Sequence, residues 1–246
     1  RRNIGHSQPS APPEHLSYDL WVGPAPLLPH QSNRLHYSWH WWRNFGTGDM
    51  GNDGVHELDY ARWGLGVETH PALVSGVGSK YFFDDDQEFP DTQTVAFDYP
   101  GDGAFGQRRQ LIFEMRIWST NSPQNIDNGV EFYGTKGRMF LSKRGKLEVF
   151  GERDKPIEAK LKGAEPNLLS HHVDFLDAIR SDRRPNADIE IGHLSASLCH
   201  LGNTCAQLGR SIQFDPASEK AIDDAEANQL LQGVYRENHW AAPKDA

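Results

Sequence analysis

His56 stands just beyond a G-x-G-x-x-G run formed by Gly46, Gly48 and Gly51 in the stretch FGTGDMGNDGVHELDYARWGLG. An imidazole at the start of a helix can exchange a proton with a hydroxyl near neutral pH. Helical spacing puts Asn52, His56 and Asp59 or Tyr60 on one face. The preceding segment, RLHYSWHWWRNF, is aromatic and basic and supplies Arg34, His36, Trp39 and Trp42. Such rings stack on a sugar, and glycines let backbone approach a ligand closely. The pattern suits a carbohydrate or polyol: His56 is the candidate catalytic residue, with Arg34, His36, Trp39, Trp42, Asp59 and Tyr60 as candidate binding residues. Spacing alone leaves a second reading open, in which His56 is a satisfied core histidine and the tryptophans are core.

The glycine run also has the spacing of a dinucleotide loop. Such a loop follows a buried parallel strand, opens a helix and has an acid about 20 residues on. Glu68 is near that place, but HYSWHWWRNF carries histidines, Arg43 and Asn44 where a buried strand needs Val, Ile or Leu. No cofactor site is therefore expected in this chain. A metal site of N/O type is the next candidate, from His36 and His40 or from His171 and His172, with Asp53, Glu57 or Asp59. HELDY lacks the second histidine of H-E-x-x-H, and no G-x-S-x-G occurs. These residues leave two alternatives: a cofactor-independent, possibly metal-dependent hydrolase or lyase built on a His56 pocket, and a non-catalytic dimerisation module.

The elements that must position these groups follow from pattern. Residues 1–33 are rich in Pro, Ser and His and read as an extended arm that packs Trp21 and its leucines onto the body. A helix is expected from about Asn52 to Leu65, with Val55, Leu58, Ala61 (or Arg62) and Leu65 as its apolar stripe and Gly66 at its exit. ALVSGVGSKYFF, TQTVAFDYP and RRQLIFEMRIWST read as strands. GVEFYGTKGRMFLSKRGKLEVFG reads as a three-strand meander, and PIEAKL as a possible edge strand. Helices follow in NLLSHHVDFLDAIRSD, in DIEIGHLSASLCHLGNTCAQLG and in DDAEANQLLQGVY, where Asp223 or Asp224 is the N-cap; SIQFD reads as a short strand. Strands followed by helices argue an α+β fold: an open, mainly antiparallel sheet with helices packed on one face.

Composition narrows the partners. The net charge of -9 argues against nucleic acid. No run of about 18 apolar residues occurs, so no membrane-spanning helix is expected. Cys199 and Cys205 fall on one helix, roughly 9 Å apart, too far for a disulfide, so two buried thiols are expected. The start, RRNIGHSQPSAPPEHL, lacks both an initiator Met and the apolar core of a signal peptide. It reads as a cut inside a longer chain, and a cytoplasmic location is favoured.

The string YDLWVGPAP…RLHYSWHWWRNFGTGDMGNDGVHELDYARWGLG resembles the C-terminal half of the Gfo/Idh/MocA oxidoreductases, the glucose–fructose oxidoreductase and inositol dehydrogenase family. The resemblance continues through FEMRIWSTN, the meander, HHVDFLDAIRSDRRPNADIEIGHLSASLCHLGNTCAQLGR and DDAEANQLL, and so covers nearly the whole chain. It implies that residues 34–246 form a substrate and oligomerisation domain, with a homodimer or higher oligomer through the free sheet face. It also implies that NAD(P) binds an N-terminal domain whose fingerprint and lysine motif are not in this sequence, so the chain alone should not transfer hydride. The family's D-x-G-x-H motif reads Asn52-Asp53-Gly54-Val55-His56 here. His56 matches the histidine that helps move the hydroxyl proton. Asn52 replaces the acid, and its amide can orient a hydroxyl but cannot act as a base.

Overall fold

A computed structural model describes residues 3–158 and 167–243. Its helices are α1 (Tyr18–Val22), α2 (Gly48–Asn52), α3 (Gly54–Leu65), α4 (Leu168–Ser181), α5 (Ile189–Leu208) and α6 (Ala225–Leu231). Its strands are β1 (Leu73–Ser79), β2 (Thr92–Tyr99), β3 (Arg109–Arg116), β4 (Val130–Gly134), β5 (Gly137–Leu141), β6 (Leu147–Phe150), β7 (Pro156–Ile157), β8 (Ile212–Asp215) and β9 (Lys220–Ala221). All pairings are antiparallel. The fold is α+β with open antiparallel sheets, as the pattern of strands and helices implies.

The strands divide into two sheets rather than one: β3-β2-β1-β8-β9 and β4-β5-β6-β7. The expected meander is β4–β6, and β7 pairs with β6 through Ile157 and Pro156. The last three residues of PIEAKL lie outside the described residues.

In the five-stranded sheet, alternation sends one set of side chains inward. Val74, Phe97 and Leu111 are cross-strand neighbours, and all three are buried. They form the main core with Met50 of α2, Leu58 and Ala61 of α3, and Leu198, Cys199, Leu201 and Cys205 of α5. Burying each large apolar side chain contributes about 1.5–3 kcal/mol. The long α5 packs on β1, α2, α3 and α6, and so organises the helical layer. Cys199 and Cys205 are free and buried, and burial pushes the Cys199 thiol up to about 12, so neither behaves as a nucleophile.

Three caps set the later helices: Asn167, Asp188 and Asp224 each accept a backbone N–H from the first turn that follows. The last helix ends at Leu231, short of the expected Tyr235. The helix expected from Asn52 is also broken. α2 ends at Asn52, Asp53 sits at φ -117°, and α3 starts at Gly54. Flanking Gly51 and Gly54 weaken helix propensity, so the break costs little.

The arm is less extended than expected, because it contains α1. Trp21 packs against Phe45 with ring centroids 4.9 Å apart, but Leu20 and Leu27 stay exposed. An acidic loop anchors the arm's first residues. Asp85 accepts the Ile4 N–H at 2.9 Å, and Asp86 accepts the Ser7 N–H at 2.8 Å.

Candidate substrate-facing site

The glycine loop is held from below by α5. The Asn203 amide donates to the Thr47 carbonyl at 2.8 Å, and the Cys199 thiol donates to the Met50 carbonyl at 3.3 Å. Gly46 lies against the His40 backbone so closely that no side chain fits. Gly48 has φ +61°, and a Cβ there would meet Phe89 at 2.7 Å. The preceding segment, His36–Trp41, is a 3-10 turn with a kink at Tyr37, not a strand. A side chain at Gly46 or Gly48 would meet protein, and the loop follows a 3-10 segment rather than the buried parallel strand that leads into a dinucleotide loop. Its glycines permit close packing at the entry to α3.

The helix α3 has distinct faces. Leu58, Ala61 and Arg62 are buried. The sequence left Ala61 and Arg62 as alternatives for the stripe, and the structure buries both. Arg62 is neutralised by a network: its guanidinium donates to Ser195 Oγ at 3.0 Å, to the Val67 carbonyl at 2.7 Å and to the Ile191 carbonyl at 3.2 Å. Ser195 in turn donates to Asp59 Oδ1 at 2.5 Å. Asp59 is thus turned toward α5 rather than lined up beside His56.

His56 lies on the outer face of α3, exposed, with Tyr60 one turn on and exposed Trp63 beyond it. The reading of His56 as a core histidine is therefore set aside: its ring is at the surface and makes no hydrogen bond among the described residues. Asn52 belongs to the end of α2, on the other side of the break at Asp53. Trp39 and His36 are exposed on the 3-10 segment. Arg34 and Trp42 are instead buried together, the guanidinium 4.1 Å from the indole centroid. Trp42 also packs with Trp41 and Ile117 in a second core. Burial gives Arg34 and Trp42 a framework position, with Arg34 further bonded to the Pro29 carbonyl and Gln31.

Lys143, in the β5–β6 turn, reaches the start of α3. Its ammonium lies 3.2 Å from Glu57 and 3.8 Å from Asp53. Sequence reasoning read KRGK only as a turn and missed this cation; nothing in local spacing links it to α3. Of the acids a hydrolase could draw on here, Asp49, Asp53, Glu57 and Asp59, the middle two face Lys143 and Asp59 accepts from Ser195. No group of three metal-ligating side chains gathers around His36, His40, His56, His171 or His172 among the described residues. On the opposite side of α3, Glu57, Leu58, Ala61 and Leu65 face β3 and β4 across a groove of about 510 Å³.

Comparison with known proteins places this arrangement. Residues 4–241 match the family model described as the oxidoreductase family, C-terminal alpha/beta domain, of the Gfo/Idh/MocA type. No curated protein matches. Among solved structures, the fold is similar to aldose-aldose oxidoreductase from Caulobacter crescentus complexed with glycerol, with TM-score 0.52 and 18% identity over 72% of this chain and 51% of that one. It is similar to an oxidoreductase domain protein from Kribbella flavida, with TM-score 0.52 and 16% identity over 76% and 55%. It is also similar to the WlbA dehydrogenase from Bordetella pertussis in complex with NADH and UDP-GlcNAcA, with TM-score 0.50 and 17% identity over 72% and 49%. The chain spans about half the length of these structures. Identities this low speak to the fold, and it is the family model, matching nearly the whole sequence, that places the chain in the Gfo/Idh/MocA oxidoreductase family, as its C-terminal α/β domain.

Proposed function

We propose that this chain is the substrate-binding and oligomerisation part of an NAD(P)-dependent oxidoreductase acting on a sugar or polyol. The observation that carries the reading is His56: an imidazole on the outer first turn of α3, in the register of the family's proton-transfer histidine, with no protein partner among the described residues. In this reading His56 takes or returns the hydroxyl proton, and Asn52 orients that hydroxyl across the α2–α3 break. Tyr60, Trp39 and His36 offer polar and stacking contacts, while Arg34, Trp42 and Asp59 hold the framework behind them. Lys143 adds positive charge at the start of α3. The dinucleotide belongs to the other half of the longer proteins that this chain resembles, since the glycine loop here follows a 3-10 segment and not a buried parallel strand. The free outer face of β1–β3 serves assembly, and α4, which buries only Ala178, leaves an apolar face for a neighbouring domain.

Two titrations of the chain test this. A panel of sugars and polyols is followed by NMR of the histidine ring protons, and NADH by fluorescence. The expected result is a sugar-dependent shift of one histidine that disappears in His56→Ala, with no tight NADH binding. Histidine signals unmoved across the panel would overturn the substrate-pocket reading. Tight NADH binding would overturn the placement of the dinucleotide outside this chain.

A further inference from the structure

Away from α3, three side chains from distant parts of the sequence converge. His70 precedes β1, His193 lies in α5, and Glu219 lies in the β8–β9 turn. Their ligand atoms all fall within 4.8 Å of one another, and among the described residues they are the only such group of three or more. Both rings aim the same atom, Nε2, at one carboxylate. His70 Nε2 is 3.1 Å from Glu219 Oε1, and His193 Nε2 is 3.0 Å from both oxygens. In a tetrahedral site with bonds of about 2.0–2.1 Å, neighbouring ligand atoms sit about 3.3 Å apart. The two histidine–glutamate separations are already close to that value, and a small outward shift would admit an ion.

The surroundings fix this geometry. His70 is buried and packs edge-on against Phe214 at 5.7 Å and His193 at 5.4 Å. Glu219 occupies the left-handed region at φ 54°, a conformation that non-glycine residues seldom adopt. That backbone is held by its N–H donating to the Asp215 carbonyl at 2.9 Å. His193 and Glu219 are half exposed, so water can complete the coordination.

We propose that His70, His193 and Glu219 form a binding site for one divalent transition-metal ion of the zinc class. Two imidazoles and one carboxylate are a borderline donor set, which favours Zn²⁺, Co²⁺ or Ni²⁺ over Mg²⁺ and Ca²⁺. The ion would clamp the first half of α5 to the β8–β9 turn and to the lead-in of β1. None of the three ligands belongs to the α3 site, so this inference stands whether or not His56 transfers protons.

The test is titration of the chelator-stripped chain with Co²⁺, read by visible absorption, followed by competition with Zn²⁺. One Co²⁺ per chain is expected, displaced by Zn²⁺, with a raised thermal midpoint in the loaded protein. His193→Ala and Glu219→Gln, both at half-exposed positions that the fold tolerates, should each weaken binding by more than the roughly 10–100-fold that loss of a partner outside the coordination sphere costs. His171→Ala, in the exposed histidine pair of α4, should leave binding intact. The proposal is overturned if no stoichiometric Co²⁺ binds, if both ligand variants bind as well as wild type, or if only His171→Ala loses the ion.

Discussion

Arg62 is a cation with its side chain in the core, and its environment explains why α3 and α5 stay in register. Every direction of its guanidinium meets an acceptor, and Ser195 relays the contact to the Asp59 carboxylate. Removing one member of such a buried network leaves the rest unpaired, which costs about 3–5 kcal/mol. Arg62→Met should therefore lower unfolding stability by about that amount, measured by urea denaturation, although it conserves bulk. Ser195→Ala should cost less, about 1–3 kcal/mol, because a hydroxyl is lost rather than a charge. Arg62 also marks how far single-residue roles could be read from sequence. Helical spacing put it near the apolar stripe but gave no hint of the carbonyls waiting for it. The place of His56 on the first turn of α3 could be read from local spacing, because its helical neighbours are close in sequence. Lys143, and the trio of His70, His193 and Glu219, were not, because each depends on segments brought together only by the sheets.

At the scale of elements, periodicity located nearly all the strands and helices, since a half-buried strand and an amphipathic helix write their burial into the sequence. It failed at the α2–α3 junction. The run from Asn52 to Leu65 keeps a helical pattern throughout, and nothing in that pattern records the turn at Asp53. It also failed to divide the strands into two sheets, because pairing between sheets is a long-range choice. The glycine loop shows the same limit from the other side: its spacing imitates a cofactor loop, while its surroundings make it a packing joint. Gly48 gives the direct check. A side chain there meets both a left-handed backbone, costing about 1–2 kcal/mol, and the Phe89 ring, where overpacking costs about 1–3 kcal/mol. Gly48→Ala should thus destabilise the chain by about 2–5 kcal/mol, read as a lowered thermal midpoint, through the entry to α3. A dinucleotide loop would instead lose NADH affinity with little change in stability.

For the whole molecule, the central question is what covers the outer face of the five-stranded sheet. Its inner face is sealed by α2, α3 and α5, so strand alternation sends a second set of residues the other way. Register places Ser75 beside Ala96 and Ala96 beside Ile112 in one row, and Val77 beside Thr94 and Thr94 beside Glu114 in the next. Val77 and Ile112 are 65% and 62% exposed, which leaves two large apolar groups on this face beside Ser75, Ala96, Thr94 and Glu114. Such a face suits packing against an identical sheet, where a two-fold axis would bring the same rows together. Charges on this face, Asp98 paired with Arg108 at 2.8 Å and Glu114 beside Arg116 on the edge strand β3, disfavour irregular edge growth. Wild-type chain should therefore sediment as a dimer or larger closed oligomer. Ile112→Glu, which puts a charge in the middle of the edge strand β3 on this face without touching the core, should shift it to monomer while leaving its circular dichroism unchanged. A wild-type chain that stays monomeric at high concentration would remove the sheet face from assembly. A dimer that survives Ile112→Glu would move the contact elsewhere, with the apolar face of α4 the next surface to substitute.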